Sequence, residues 1–231
     1  METAMPEQAP EDRGMPLLPD EAYQLPEGFV YLDEAVSGVR WDAKYAGSDN
    51  FTGAPVDGYA GNRVACSKAM AKALEKARDL AAEKGLSLLV WDAARPQRAV
   101  NRFVAWSQQP EDGKTRQEHY PNLQKTQLFR EGYIARRSGH TRGAAVDLTL
   151  VDSDGTPLDM GGGFDLMDEK SHHGAKGLSK AQRENRNMLK ALMAEAGLKS
   201  YEAEWWHYSL EDEPFPGQYF DFIIGGEAKG P

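Results

Sequence analysis

The sequence predicts an α+β fold, a single compact domain with a central antiparallel sheet and flanking helices. Three observations indicate this class. The strand-like segments are short, the amphipathic helical segments do not alternate regularly with them, and 40% of the 231 residues are apolar. Because neither an internal repeat nor a low-complexity linker divides the chain, we expect one hydrophobic core.

The first residues differ in composition from the rest of the chain. Residues 1–20 contain four prolines, five acidic residues and one basic residue. Such a segment buries little apolar surface, so residues 1–24 are predicted to form a flexible acidic tail and residues 25–231 the folded domain. The start of the chain also lacks the basic and apolar segments of a secretory signal, and the single Cys66 permits no internal disulfide. We therefore expect a cytoplasmic location.

The overall charge argues against two classes of partner. With 27 basic and 36 acidic residues the net charge is −9, which repels phosphate backbones and anionic lipids. No stretch of the chain approaches the roughly 18 consecutive apolar residues of a membrane-spanning helix. We expect neither a nucleic acid nor a membrane as partner, and nothing in the sequence identifies a protein partner.

Hydrophobic periodicity predicts the first elements of the domain. Ser67 caps a predicted helix over 68–81, where apolar residues recur with a period of 3.6. A buried strand is predicted to follow over 86–91. Pro96 is then expected at the first position of a second helix, over 96–103.

The later elements follow from the same reasoning. A strand is predicted over 144–151, because apolar residues on one face alternate there with a second face that carries Asp147. A third helix is predicted over 179–196, and an aromatic-rich last strand over 204–210.

Two polar segments carry candidate metal ligands. His140 precedes the strand over 144–151, and Asp147 lies within it, seven positions later. The last strand adds Glu204 and His207. Zinc catalytic sites use three nitrogen or oxygen ligands and leave a fourth position to water. His140, Asp147 and His207 would fill that count, and Glu204 would remain free to accept the proton of the water.

Two considerations oppose this grouping. Histidines beside strands are commonly structural hydrogen-bonding residues, as we expect for His119 elsewhere in the chain. In a regular strand, moreover, residues three apart face opposite sides, so Glu204 and His207 would not both face one metal. Either a β-bulge at Trp205-Trp206, or a strand that begins just after Glu204, would bring both side chains to one side.

Six segments of the chain match a known pattern in order. They are VRWDAKYAGSDNFTG at 39–53, WDAARPQRAV at 91–100, SGHTRGAAVDLTL at 138–150, MGGGFDLMDEKSHHGAKG at 160–177, EWWHY at 204–208 and DEPFPGQYFDF at 212–222. Together they resemble the zinc D-alanyl-D-alanine dipeptidases of the VanX type, which are related to zinc D,D-carboxypeptidases of the cell wall. The resemblance covers about residues 29–222, so the acidic tail lies outside it.

The resemblance implies a compact α+β fold with one zinc ion per chain and hydrolysis of the free dipeptide D-Ala-D-Ala. By position it assigns the zinc ligands to His140, Asp147 and His207 and the catalytic base to Glu204. It makes Arg95 the residue that stabilises the developing oxyanion, a role that suits a fixed guanidinium in a dry site.

The resemblance also implies three substrate contacts. Asp165 matches a carboxylate that holds the substrate's ammonium, Tyr45 matches a substrate-contacting tyrosine, and Ser138 matches a serine near the zinc. Without the family, Asp165 could equally be a solvated loop acid and Tyr45 a packing residue. The chain departs from the family at Ala93-Ala94, where glycine and tyrosine are common, and at Gly139, which replaces a serine of some members. These departures concern pocket shape and dipeptide preference.

Two alternative functions follow from the same residues. A zinc D,D-carboxypeptidase would remove the terminal D-Ala of longer peptidoglycan peptides, but such enzymes meet their substrate outside the cytoplasm. A non-catalytic zinc-binding module would not need Glu204, because a structural zinc site requires no base. For a dipeptidase, two biological roles are compatible with the resemblance, namely glycopeptide resistance and recovery of D-alanine in cell-wall turnover.

Overall fold

A five-stranded sheet is the central feature of the computed structural model, which describes residues 19–228. Its strands are, in spatial order, β2 (Arg40–Trp41), β4 (Ser87–Asp92), β5 (Ala145–Val151), β7 (Glu204–Leu210) and β6 (Leu198–Tyr201). A separate antiparallel pair consists of β1 (Phe29–Tyr31) and β3 (Ala65–Ser67). The site described below lies on the middle strands of the larger sheet.

The central sheet is mixed, whereas the sequence predicted an antiparallel one. Strand β2 pairs with β4 in parallel, and the other three neighbouring pairs are antiparallel. The difference arises at a strand of two residues, which is too short to show any periodicity in the sequence. The predicted α+β class and single compact domain are confirmed.

Six α-helices accompany the strands in the described part of the chain. They are α1 (Leu32–Ala35), α2 (Lys68–Ala82), α3 (Gln97–Ser107), α4 (Arg116–His119), α5 (Lys125–Arg130) and α6 (Lys180–Glu195). Within residues 19–228, none of the helices combines the length and the hydrophobicity needed to cross a lipid bilayer.

The helix boundaries follow the predicted ones closely. Ser67 caps α2 as expected, and Ser179 caps α6. Helix α3 begins one residue later than predicted, because Pro96 is its N-cap with an extended ψ, and it continues to Ser107. The local signals therefore located the helix starts better than the end of α3.

Most of the predicted acidic tail lies outside the described residues, which begin at Pro19. The remaining part of the predicted tail contains a 3-10 helix, Asp20–Tyr23. Tyr23 is buried, and its carbonyl oxygen accepts a hydrogen bond of 2.8 Å from the hydroxyl of Tyr31. The end of this segment is thus in contact with the folded domain.

Two adjoining hydrophobic clusters hold the sheet in place. The first joins α2 to β4 and β5, and α6 to α2 and to β6 and β7. The second is rich in aromatic side chains and includes Phe51, Phe103 and Trp106. Since all seven residues of β5 are buried, the face of β5 that carries Asp147 is enclosed like its apolar face. The middle of the sheet can therefore hold charged groups away from bulk water.

Candidate active site

His140 lies in a 3-10 turn, His140–Arg142, shortly before β5. The turn ends at Gly143, whose φ of 65° is left-handed and whose missing side chain leaves room for the ring of Phe29. The imidazole Nδ1 lies 2.7 Å from the carbonyl oxygen of Ala93. Because a carbonyl only accepts hydrogen bonds, Nδ1 carries the proton, and Nε2 keeps its lone pair for a metal.

Asp147 lies within β5 and is buried between two histidines. Its Oδ1 is 2.9 Å from Nδ1 of His207, and its Oδ2 is 3.3 Å from Nε2 of His140. Burial by itself would raise the pKa of Asp147, but the two imidazoles outweigh burial and hold that pKa well below its usual value. The carboxylate is therefore ionised at neutral pH.

A bulge in β7 brings Glu204 and His207 to the same side of the strand. Tyr208 pairs with Ser200 of β6, and Glu204 pairs with the next residue, Tyr201. Residues 205–207 therefore have no partner on β6 and form an insertion in β7. Of the two arrangements that the sequence left open, the bulge is the one found, since β7 includes Glu204. The Oε2 atom of Glu204 lies 3.7 Å from Nδ1 of His207.

His140, Asp147 and His207 form one candidate metal site. Their ligand atoms all lie within 4.8 Å of one another. In each histidine, the ring nitrogen that points away from the cluster has a polar partner. Nδ1 of His140 contacts the carbonyl of Ala93, and Nε2 of His207 lies 3.4 Å from the hydroxyl of Ser209. Such partners orient metal-binding imidazoles. Two nitrogens and one carboxylate oxygen fit a divalent metal ion.

Arg95 is held beside this cluster by two carboxylates. Its Nε donates to Asp92 at 2.8 Å, and its Nη2 donates to Asp147 at 3.3 Å. The guanidinium also lies 5.1 Å from the ring centre of Tyr45 and 5.3 Å from that of Phe103. Burial alone would lower the pKa of Arg95, but the neighbouring Tyr45 and Asp92 raise it well above its usual value. A fixed positive charge therefore lies next to the metal candidate.

Asp92 is a site residue that the sequence analysis did not assign. The register between β4 and β5 shifts after Val90, so Asp92 pairs directly with Asp147. Besides Arg95, its carboxylate accepts the hydroxyl of Tyr59 at 2.7 Å, and the residue is 1% exposed. The available signal was its position in the WDAARP segment, three residues before an arginine with an assigned role.

The pKa of Glu204 is close to neutral pH, so its carboxyl group can both accept and release a proton there. Burial raises the pKa of Glu204 to about 7, against the opposing effect of His207 and with a further contribution from Asp147. Efficient general bases have a pKa close to the working pH. The position and the pKa of Glu204 thus suit proton transfer beside the metal candidate.

The three predicted substrate contacts surround the same space. Asp165 is buried, and its Oδ2 accepts the hydroxyl of Tyr45 at 2.8 Å. Burial, together with the negative charge of Asp147, raises the pKa of Asp165 well above its usual value. Ser138 also lines the cavity, and its Oγ accepts the backbone N–H of His140 at 3.2 Å, which leaves its own proton for another acceptor.

One cavity of about 320 Å³ connects these groups. All eight residues that the sequence singled out line it, and Phe51, Val100 and Phe103 add apolar surface. Ligand pockets range from about 300 to 1,000 Å³, so this one suits a small substrate. The roles of the eight residues stay predictions. They are Tyr45, Arg95, Ser138, His140, Asp147, Asp165, Glu204 and His207.

Comparison with known proteins identifies the family. The Peptidase_M15 family, described as D-ala-D-ala dipeptidase, matches residues 26–225. The chain belongs to this family. Peptidase_M15 proteins are metallopeptidases, which agrees with the candidate metal site.

Three curated relatives share about half of their residues with this member of Peptidase_M15. Each is named D-alanyl-D-alanine dipeptidase. The protein of Streptomyces coelicolor is 55% identical over 197 residues, which cover 85% of this chain and 98% of the relative. The protein of Enterococcus faecium is 52% identical over 198 residues, with the same coverage. That of Enterococcus faecalis is 50% identical over 201 residues, or 87% of this chain and 100% of the relative.

The three residues expected to depart from the family, Ala93, Ala94 and Gly139, leave the candidate metal ligands in place. Ala93 orients His140 through its backbone carbonyl, which a residue with any other side chain also provides. Ala94 is buried, and Gly139 lines the cavity. The departures therefore alter the surroundings of the cavity and not the donor set.

Proposed function

We propose that this chain is a zinc-dependent dipeptidase that hydrolyses D-Ala-D-Ala to two molecules of D-alanine. One observation carries the proposal: a single cavity is lined by three metal-ligand candidates, by Glu204 beside them and by the buried carboxyl group of Asp165. The curated relatives support the choice of substrate, because they are named for this activity and match over nearly their whole length.

In this proposal His140, Asp147 and His207 hold one zinc ion. Two imidazoles and a carboxylate are a common ligand set of catalytic zinc sites, which keep the fourth position open. Bound zinc would supply Lewis acidity to the scissile carbonyl and lower the pKa of water to about 7. The ionised Asp147 and the orientation of His140 by the Ala93 carbonyl prepare this donor set.

Glu204 is the proposed general base. Its carboxylate accepts a proton from the attacking water as the new C–O bond forms. It then returns that proton to the amine nitrogen of the second D-alanine as the C–N bond breaks. A pKa of about 7 suits both transfers.

Arg95 is proposed to stabilise the negative charge that develops on the carbonyl oxygen. Its contacts with Asp92 and Asp147 fix the guanidinium before the substrate binds. A donor that is fixed in advance needs no reorganisation when the charge appears, and this is the main source of electrostatic catalysis.

Asp165 is proposed to bind the ammonium group of the dipeptide, with Tyr45 fixing one carboxylate oxygen. A substrate without a positive charge at this position would leave the buried carboxyl group of Asp165 without a cationic partner. An acylated amine carries no charge, so the same site would discriminate against longer peptides. Ser138 is proposed to donate its hydroxyl proton to the substrate.

Steady-state rates on D-Ala-D-Ala and N-acetyl-D-Ala-D-Ala test the proposed function. We expect the free dipeptide to be cleaved well, and the acetylated peptide, L-Ala-L-Ala and the ester D-Ala-D-lactate to be cleaved poorly. Efficient cleavage of the acetylated peptide would instead indicate a D,D-carboxypeptidase. A protein that binds zinc and cleaves none of the four compounds would be a binding module.

A cytoplasmic location is part of the proposal. Cys66, the single cysteine, is buried and free, which is compatible with a reducing compartment. Fractionation of producing cells, with activity measured in each fraction, tests the location. Recovery of the activity outside the cytoplasm would contradict it.

A further inference from the structure

Asp165 has a backbone conformation that side-chain-bearing residues rarely adopt. Its φ is 57°, the one positive φ of a non-glycine residue between residues 19 and 228. Aspartate is among the residues that tolerate this region, but the conformation still costs free energy and persists only where surrounding contacts impose it. We therefore expect contacts with neighbouring residues to impose the left-handed conformation of Asp165.

His119, the last residue of α4, makes two hydrogen bonds to the chain, at Asp165 and two residues after it. Its Nδ1 lies 3.3 Å from the carbonyl oxygen of Asp165, and its own carbonyl accepts the N–H of Met167 at 2.6 Å. The residue is 5% exposed, and burial lowers its pKa, so the imidazole is neutral. Since the carbonyl of Asp165 only accepts, Nδ1 carries the proton and donates it.

The loop that contains Asp165 spans residues 160–172, and its ends are anchored by contacts that do not involve His119. The buried guanidinium of Arg186 donates to the backbone carbonyls of Met160, Lys170 and His172, at 2.6, 3.0 and 2.8 Å. These carbonyls lie on both sides of Asp165 in the sequence. The loop is thus closed at its ends by α6, and its middle is held by His119 on the backbone and by the Tyr45 hydroxyl on the side chain.

We propose that His119 is a positioning residue for the ammonium subsite. Its imidazole fixes the carbonyl of Asp165, and thereby the left-handed turn that directs the carboxylate to the Tyr45 hydroxyl and the cavity. Without this hydrogen bond, the turn can relax toward an ordinary conformation and move the carboxylate. The inference rests on the proposed role of Asp165, and it assigns to His119 a part in selecting substrates with a free amine.

A matched pair of variants isolates the imidazole hydrogen bond. In His119→Asn, the amide nitrogen takes the place of Nδ1 and can still donate, whereas His119→Leu fills similar space without a donor. For His119→Leu we expect kcat/KM on D-Ala-D-Ala to fall about tenfold, mainly through a higher KM, as for the loss of one hydrogen bond. The rate on N-acetyl-D-Ala-D-Ala should not change. His119→Asn should stay within about threefold of the wild type on both substrates.

Tyr120→Phe provides the control for a merely structural effect. Tyr120 follows His119 directly and is fully buried, and its hydroxyl donates to Glu111 at 3.1 Å, away from the Asp165 turn. The variant loses one hydrogen bond of the same segment and keeps its ring. We expect the ratio of the rates on the two substrates to equal that of the wild type.

Two kinetic outcomes would overturn the inference. One is a parallel loss of both rates in His119→Leu, and the other is an equal defect in His119→Asn and His119→Leu. A crystal structure of His119→Leu gives a readout that does not depend on activity. A left-handed Asp165 still in contact with Tyr45 would overturn the inference as well.

Failure of the proposed function would look different. The wild type itself would then show no preference for the free amine, or Asp165→Asn would keep that preference. In either case the ammonium role of Asp165 fails, whereas the conformation of Asp165 in His119→Leu still decides whether His119 positions the turn.

Discussion

At the scale of single residues, the candidate metal ligands contact one another, whereas the other predicted site residues contribute no atom to their cluster. His140, Asp147 and His207 form the ligand cluster. Glu204 is adjacent to His207 but contributes no atom to that cluster. Removing a ligand and removing the base should therefore have different consequences for metal content.

Glu204→Gln is predicted to retain one metal ion per chain and to lower kcat by about 10²- to 10⁴-fold. Glutamine fills the same space but cannot accept a proton. Elemental analysis of the purified variant, together with kcat on D-Ala-D-Ala, checks both parts. In the same analysis His207→Ala should lose its metal. A metal-depleted Glu204→Gln would make Glu204 a ligand instead of the base.

Arg95→Lys is predicted to lower kcat more than it raises KM. The guanidinium contacts Asp92 and Asp147 through two different nitrogens, and a lysine ammonium cannot reproduce this fixed fork. An interaction that strengthens in the transition state appears in kcat. Steady-state kinetics at constant metal content make the measurement. An effect confined to KM would reduce Arg95 to a binding residue.

At the scale of secondary-structure elements, Ser67 connects a helix start to the site. Its Oγ accepts the N–H of Met70 at 3.1 Å as the cap of α2 and donates to the carbonyl of Gly143 at 2.7 Å. Gly143 ends the turn that carries His140. The same hydroxyl thus stabilises the helix and anchors the loop of a candidate ligand.

Ser67→Ala is predicted to cost about 2 kcal/mol of stability, because it removes both a cap and a buried hydrogen bond. Ser179→Ala is the matched control, since Ser179 caps α6 with the same geometry at an exposed position. Its cost should be about 1 kcal/mol. Urea unfolding of the two variants gives the comparison. Equal costs would show that the bond to Gly143 contributes nothing.

The elements that the sequence predicted are those whose signals are local. Ser67 and Ser179 mark helix starts by their own side chains, and the alternation over 144–151 reflects the two faces of β5. Strand β2, with two residues, and β6, with four, are too short for a periodicity. They exist because a neighbouring strand offers hydrogen-bond partners, which a single segment of sequence does not reveal.

For the site, the sequence predicted which residues take part but not the strand irregularities that position them. The ligand set could be proposed from His140, Asp147 and His207, because residue type and spacing limit the choices. The two bulges, after Val90 and at 205–207, depend on the register between strands. These bulges place Asp92 opposite Asp147 and bring Glu204 next to the candidate metal site. The left-handed turn at Asp165 depends likewise on contacts from distant parts of the chain.

At the scale of the whole molecule, the boundary of the domain can be tested by truncation. The family match begins at residue 26, but Tyr23, which is buried and accepts a hydrogen bond from the Tyr31 hydroxyl, lies before that point. A chain that starts at residue 19 is predicted to keep the kcat and the Tm of the full chain. A chain that starts at residue 26 should lose about 2 kcal/mol and about 4–8 °C in Tm. Thermal unfolding of the three chains decides, and an unchanged Tm from residue 26 would show that Tyr23 does not stabilise the domain.

If one zinc ion on His140, Asp147 and His207 makes this chain a D-Ala-D-Ala dipeptidase, the activity must follow the zinc content. The most direct test is to strip the protein of metal, add zinc back in steps and measure the release of D-alanine from D-Ala-D-Ala. We predict no hydrolysis by the metal-free protein and a linear rise that saturates at one zinc per chain. Full activity in verified metal-free protein would show that the hydrolysis needs no metal ion.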